Sequence, residues 1–218
     1  MFKNILGRRK RTALLADATD EVLSMLERAR RMFEVGCSPE LKNEETAAQV
    51  DRDDRDINAG ERLVRRMVFE HLTINPDQDL PTSLALISIV HDVERLGDYA
   101  KSLVELNRWG ELWSGEERYA QLCCEIHQTI APLYGQVQEA LRQSDAELAR
   151  QVMRQHEEIK GRTDAFVEAV MQDASSGQKT VLYTLASRFL RRISAHLSNV
   201  ASSVANPLDR VGGKEVRE

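Results

Sequence analysis

Apolar residues return every three to four positions over six long stretches of this 218-residue chain, and nowhere do they alternate with period two over the length of a strand. That periodicity admits helices packed by one apolar face and argues against a sheet. The first stretch runs from Thr12 to Val35, with Leu15, Val22, Met25, Leu26 and Phe33 near heptad spacing, and stops at Gly36-Cys37-Ser38-Pro39. The second runs from Glu44 to Leu72, ahead of Asn75-Pro76, on a stripe of Val50, Ile57, Val64, Met67 and Val68. The third spans Leu80 to Asn107 and opens on Asp79-Leu80-Pro81, where an acidic cap and a first-turn proline both suit a helix start. Arg108 to Gly115, with Gly110, Ser114 and Gly115, reads as a linker.

After the linker the pattern begins again. Helices are expected from Glu116 to Arg142, from Asp145 to Gln172 and from Thr180 to Ala205, with Pro132 expected to kink or break the first of them. In the last helix, Arg191 to Val200 can be laid on Glu94 to Leu103 without a gap. A unit of roughly 90 to 100 residues is long for a solenoid repeat, so duplication into packed bundles is the better account. The expected fold is all-α: two tandem three-helix bundles related by a pseudo-twofold. Its divisions are a basic N-terminal segment at 1–11, a first repeat at 12–108, a linker at 109–115, a second repeat at 116–206 and a flexible tail at 207–218.

A formal net charge of -5, with aromatics at 5% of the chain, argues against a general nucleic-acid binder. The three cysteines, Cys37, Cys123 and Cys124, have no CxxC spacing and point to a reducing cytoplasm; the adjacent pair reads as ordinary helix residues. No run is long and apolar enough to span a membrane. The N-terminal segment joins Phe2, Ile5 and Leu6 to Arg8-Arg9-Lys10-Arg11, which suits either a frayed cationic end or peripheral contact with an anionic membrane. Nothing resembles a nucleophile with its base, a phosphate-cradling glycine loop or a dinucleotide motif, so no enzymatic activity is expected.

The chemistry-bearing stretch is His91-Asp92-Val93-Glu94-Arg95-Leu96-Gly97-Asp98-Tyr99-Ala100. Glu94 and Asp98, four residues apart, share one helix face and can converge on one ligand. Gly97 between them costs helix stability relative to alanine, which close packing or a close ligand would justify. On the second helix Asp51, Asp54, Asn58 and Glu61 share a side. The short connection from Thr73 to Asp79 makes the two helices antiparallel neighbours, so these oxygens can face His91, Glu94 and Asp98 across a seam. Oxygens with one imidazole suit a hard or borderline cation such as iron, manganese, zinc or magnesium. A solvated face laced with weak salt bridges accounts for the same residues.

Glu94-Arg95-Leu96-Gly97-Asp98-Tyr99-Ala100 resembles the ERIGDHA signature of the PhoU family. Asp79-Leu80 precedes Asp92 by the spacing of the family's DLR segment from its DLER segment, with Pro81 in place of the arginine. Asp54-Arg55-Asp56-Ile57-Asn58 is similar to the family's Asp-x-x-Ile-Asn/Asp pattern, and Asn199-Val200-Ala201 with Asn206-Pro207-Leu208-Asp209 resembles its C-terminal region. The likeness covers Thr12 to Val211. It implies a cytoplasmic regulator of phosphate homeostasis that restrains uptake and starvation signalling by contacting a Pst-type phosphate ABC transporter and a PhoR-type sensor kinase, with homodimerisation plausible. It also implies a metal, iron or zinc first, on Glu94 and Asp98 with Asp54 next; Asn58 stands where many relatives keep an acid.

The second repeat departs from the pattern. Arg191 and Ala195 fall at the Glu94 and Asp98 positions, and Lys160 in His156-Glu157-Glu158-Ile159-Lys160 falls where the family tends to have an acid, so no comparable hard-metal site is expected there. Arg188, Arg191 and Arg192 suit an acidic patch of a partner, or phosphate, or a solubilising surface. Two other functions stay open. One is an accessory regulator of a sodium- or proton-coupled phosphate carrier. The other is a di-metal carboxylate bundle, for which His91-Asp92-Val93-Glu94 offers the usual Glu-x-x-His in reverse order and only once.

Overall fold

The structure is a computed structural model and describes residues 13–38, 43–110, 112–113, 118–173 and 177–214. Six helices dominate these residues: α1 (Ala13–Gly36), α2 (Glu44–Ile74), α3 (Leu80–Leu106), α4 (Arg118–Gln143), α5 (Ala146–Gln172) and α6 (Gln178–Ala205). Each matches an expected helix to within two residues at either end, and no strand occurs among the described residues. The basic segment at 1–11 and part of the linker lie outside them.

Local chemistry sets most of the helix ends. The Asn43 side chain accepts the Thr46 amide at the start of α2, and Asp145 accepts the Glu147 and Leu148 amides at the start of α5, so orphan donors of the first turn are met. Asp79 corrects the expectation for α3. It stands at the cap position but in the left-handed region, with φ 53°, and its side chain makes no capping bond; Pro81 alone serves the start. Pro132 does not interrupt α4, which runs through it from Arg118 to Gln143.

The topology is two layers. Helix α1 packs on α2 and α3, and α4 on α5 and α6, giving one three-helix bundle per repeat. Between the repeats α3 packs on α6 and α1 on α4. The helices α2, α3, α6 and α5 therefore lie side by side in that order, with α1 and α4 behind. The apolar stripes face the interior: Leu15, Met25, Leu26 and Phe33 of α1 and Leu190, Ile193 and Leu197 of α6 have no exposed surface. Helix α1 ends on α3 at Gly36, where a Cβ would stand 2.9 Å from Leu103 Cβ and 3.1 Å from the Ala100 carbonyl oxygen. A side chain at that position would push the two backbones apart.

The repeats are bound by more than a linker. Leu112 and Trp113 are buried, and the Trp113 indole donates to Asn107 Oδ1 while Asn107 Nδ2 donates to the Gly36 carbonyl. Residues expected as a flexible tail fold back in part: Leu208–Arg210 form a 3-10 turn, Asn206 donates to the Arg210, Gly213 and Lys214 carbonyls, and the Gly212 amide donates to Ser202 Oγ.

Candidate functional site: the seam between α2 and α3

The connection from α2 to α3 turns the chain back on itself, and the two polar stripes do meet across a seam. Gly97 is where the Ile57 side chain of α2 packs against the α3 backbone. A Cβ there would stand 2.9 Å from Ile57 Cδ1, and Ile57 is buried, so packing rather than a ligand accounts for the glycine.

On one side of that contact lie Glu61, His91 and Glu94. His91 Nδ1 is 3.4 Å from Glu61 Oε1 and 3.6 Å from Glu94 Oε2. Glu94 is the least comfortable charge of the group. Its Oε2 is buried without a hydrogen-bond partner, and Arg95 Nε approaches only to 3.6 Å. Burial raises the Glu94 pKa, the Asp98 and Glu61 carboxylates push the same way, and Arg95 and His91 only partly offset them.

Toward the other end the carboxylates are taken by cations. Arg95 Nη1 donates to Asp98 Oδ2 at 2.9 Å, and Lys101 Nζ donates to Asp54 Oδ2 at 3.0 Å with Asp51 Oδ1 at 3.4 Å. The hydrogen bond to Asp54 is the main reason the Lys101 pKa is raised. Asn58 turns inward on its own helix, its amide donating to the Asp54 carbonyl. The Arg95–Asp98 pair is the salt bridge allowed for in the sequence, and Lys101 is the site residue that sequence reasoning passed over. Lys101 lies one helical turn beyond Asp98 and two beyond Glu94 on the α2 side, a position a helical-wheel projection would have put at the seam.

The seam thus gathers Glu94, Asp98 and Asp54 along one groove without converging them. Among the described residues no group of three or more His, Cys, Asp or Glu side chains is arranged to hold a metal ion. The donor set as placed does not fit a preassembled hard-cation site, because Asp98 and Asp54 already face an ammonium or a guanidinium. Of the three carboxylates only Glu94 has a buried oxygen, Oε2, without a hydrogen-bond partner.

The equivalent place in the second repeat is built from different chemistry. Ser194 Oγ donates to the Arg191 carbonyl, so the 2.9 Å contact between Ser194 Oγ and His156 Nδ1 uses a proton on the imidazole. Burial lowers the His156 pKa and favours the neutral ring. Arg191, at the position of Glu94, pairs with Asp164, and Lys160 pairs with Glu157 at 3.4 Å. The cysteines stay free: Cys37 and Cys123 are buried, and burial pushes the Cys123 thiol up to about 12, which keeps it unreactive.

Comparisons with known proteins agree with this architecture. A sequence profile of the PhoU domain matches the chain twice, over residues 15–106 and 123–204. The fold is similar to the crystal structure of PhoU from Pseudomonas aeruginosa, with a TM-score of 0.77 and 22% identity over 88% of this chain and 95% of that one. It is also similar to the phosphate transport system regulatory protein PhoU from Streptococcus pneumoniae, with a TM-score of 0.73 and 18% identity over 87% of this chain and 92% of that one. No curated protein sequence matches the chain.

Proposed function

The chain belongs to the PhoU family, and from that premise we propose that it is a non-catalytic regulator that holds back phosphate uptake and the phosphate-starvation response when phosphate is sufficient. The observation that carries this reading is the double domain match, one copy on each three-helix repeat, which leaves little of the folded chain for any other activity. Its partners in the proposal are a Pst-type phosphate ABC transporter and a PhoR-type sensor kinase, met at the cytoplasmic side of the membrane. No helix among the described residues is long and apolar enough to cross a membrane, so contact with a transporter would be peripheral. The exposed helical faces offer the kind of surface on which a partner helix docks.

A metal enters the proposal only through exchange. Iron or zinc, the metals the family resemblance favours, would take Glu94 first, with Asp98 and Asp54 joining after Arg95 and Lys101 leave them. Metal analysis of protein purified without chelators tests this: metal lost in Glu94→Ala together with Asp98→Ala supports it, and metal-free wild-type protein removes it.

The regulatory reading is tested by deleting the gene and measuring phosphate uptake and a starvation-response reporter in phosphate-rich medium. Both should rise. Recovery of the protein from membranes with a Pst ATPase favours the proposed partner, whereas recovery with a sodium- or proton-coupled phosphate carrier instead would move the same fold to that transporter.

A further inference from the structure

The large apolar side chains left exposed among the described residues all stand on or beside α2, α3, α5 and α6, and none on α1 or α4. One group of them, Trp109, Met171, Val181 and Leu185, gathers where α6 begins. Gln178 Nε2 donates to the Trp109 carbonyl at 3.4 Å, and a Cβ on Gly110 would stand 2.9 Å from Leu182 Cδ1, so the chain leaving α3 crosses the first turn of α6. Asp164 of α5 pairs with Arg191 of α6, and His156 of α5 meets Ser194 of α6, so these two helices are antiparallel. Met171, two turns beyond Asp164, is thereby set level with Thr184. Trp109 is 69% exposed, Met171 80% and Val181 59%, so these side chains project from the surface instead of lining a groove.

Helical spacing joins this apolar end to a cationic stretch. Val181, Leu185, Arg188 and Arg192 follow one another at four, three and four residues and share one stripe of α6, opposite the buried Leu190, Ile193 and Leu197. At 1.5 Å per residue, Arg188 and Arg192 lie about 10 and 16 Å along the helix from Val181. Both are exposed, and neither has a carboxylate partner among the described residues. Helix α6 carries no acidic side chain; on α5, Asp164 is taken by Arg191 and Glu168 accepts from Gln172 at 3.4 Å. The stretch is thus locally cationic in a chain of net charge -5. The other exposed apolar group, Phe69, Ile74 and Leu80 at the α2–α3 turn, stands among Glu70, Asp77 and Asp79.

We propose that the N-terminal half of α6, with Trp109 and Met171 beside it, docks on an anionic phospholipid bilayer. Interfacial segments bury their apolar side chains about 5–10 Å into the headgroup and acyl boundary. With Val181 at that depth, Arg188 and Arg192 come level with the lipid phosphates. Trp109 supplies a ring of the kind that membrane interfaces favour, apolar in body with one polar N–H. A partner helix would need a groove to receive its apolar face, and the projecting Trp109 and Met171 do not make one. The α2–α3 turn, with its carboxylates, is repelled by the same lipids. The proposal does not rest on the regulatory reading, because it is read with purified protein and lipid alone.

The test is sedimentation of the full chain with vesicles of phosphatidylcholine, alone or mixed with phosphatidylglycerol, read together with tryptophan fluorescence. The chain has two tryptophans and Trp113 is buried, so a shift of emission on adding lipid reports Trp109. Wild type is expected to pellet with the mixed vesicles and not with phosphatidylcholine, to shift its emission to the blue, and to be largely released in about 1 M salt, where the screening length is about 3 Å. Arg188→Gln with Arg192→Gln should lower the partition coefficient about 30-fold, the weight of two cations at an anionic surface. Trp109→Ser with Val181→Ser should lower it about tenfold or more. Phe69→Ser with Leu80→Ser, at the acidic turn, should leave it unchanged. All six positions are exposed, and thermal melts establish that each variant folds. The single changes Arg192→Gln and Val181→Ser should act in the same direction if a double variant misfolds. Wild type that stays in the supernatant with mixed vesicles overturns the proposal and points the stripe to an acidic partner protein. Pelleting without a Trp109 shift, or pelleting retained by both double variants of this face, overturns the face.

Discussion

Glu94 shows how little of a residue's chemistry lies in its type. Two carboxylates at helical spacing were legible as a shared face, but a helical face says nothing about which of them would be paired. Arg95 and Lys101 satisfy Asp98 and Asp54, and Glu94 is left with a buried, unpartnered oxygen. Its folded-state pKa is raised, so the ionised form is disfavoured by folding. Ionised Glu94 therefore costs stability at neutral pH, and that cost disappears as pH falls through the raised folded pKa toward the ordinary value. Glu94→Gln is expected to melt higher than wild type at pH 7, with the difference shrinking steadily toward pH 4 in thermal melts. A constant or opposite difference would show that Glu94 is held by a partner after all.

Helices are the scale at which the sequence was most transparent. Their periodicity, their glycine and proline breaks and their caps are properties of residues within four positions of one another, which is why all six were placed within two residues at each end. Asn43 is a cap of this local kind, accepting both the Thr46 amide and the Thr46 hydroxyl at 2.8 Å. Asn43→Ala should cost about 1 kcal/mol in urea unfolding, and Asn43→Asp should restore most of it. Asp79 failed the same expectation because a left-handed backbone turns its side chain away from the first-turn amides, a conformation that composition does not announce. At Pro132 the break that the sequence allowed does not occur: α4 is buried along Ile126, Ile130, Leu133 and Tyr134, and that packing holds the helix through one missing amide.

At the scale of the whole molecule the two repeats are joined by α3 against α6, and the pseudo-symmetry of that contact is broken in a definite way. The pair Tyr99–Phe189 is apolar, and its pseudo-equivalent, His196–Asp92, is hydrogen-bonded. Asp92→Ala would leave the His196 and Asn199 donors without their acceptor. Both sites are partly reached by water, so the expected loss is about 1 kcal/mol, at the low end for an unmet polar group, measured as a lower urea midpoint with unchanged helix content. An unchanged midpoint would mean that the aromatic stack alone holds the repeats at this point.

The amino-acid sequence by itself determined the helices, their number and breaks, the duplication, and the different chemistry of the two repeats at Glu94 and Arg191, because each of these is written in local spacing. Tertiary structure alone decided what those residues meet. Lys101 reaches an aspartate 47 positions away, Ile57 fills the space that Gly97 leaves, and Asp92 bonds a histidine 104 positions on. Such pairings depend on the register and side-to-side order of packed helices, and a shift of one turn, about 5.4 Å, would exchange every partner while leaving each helix as it is.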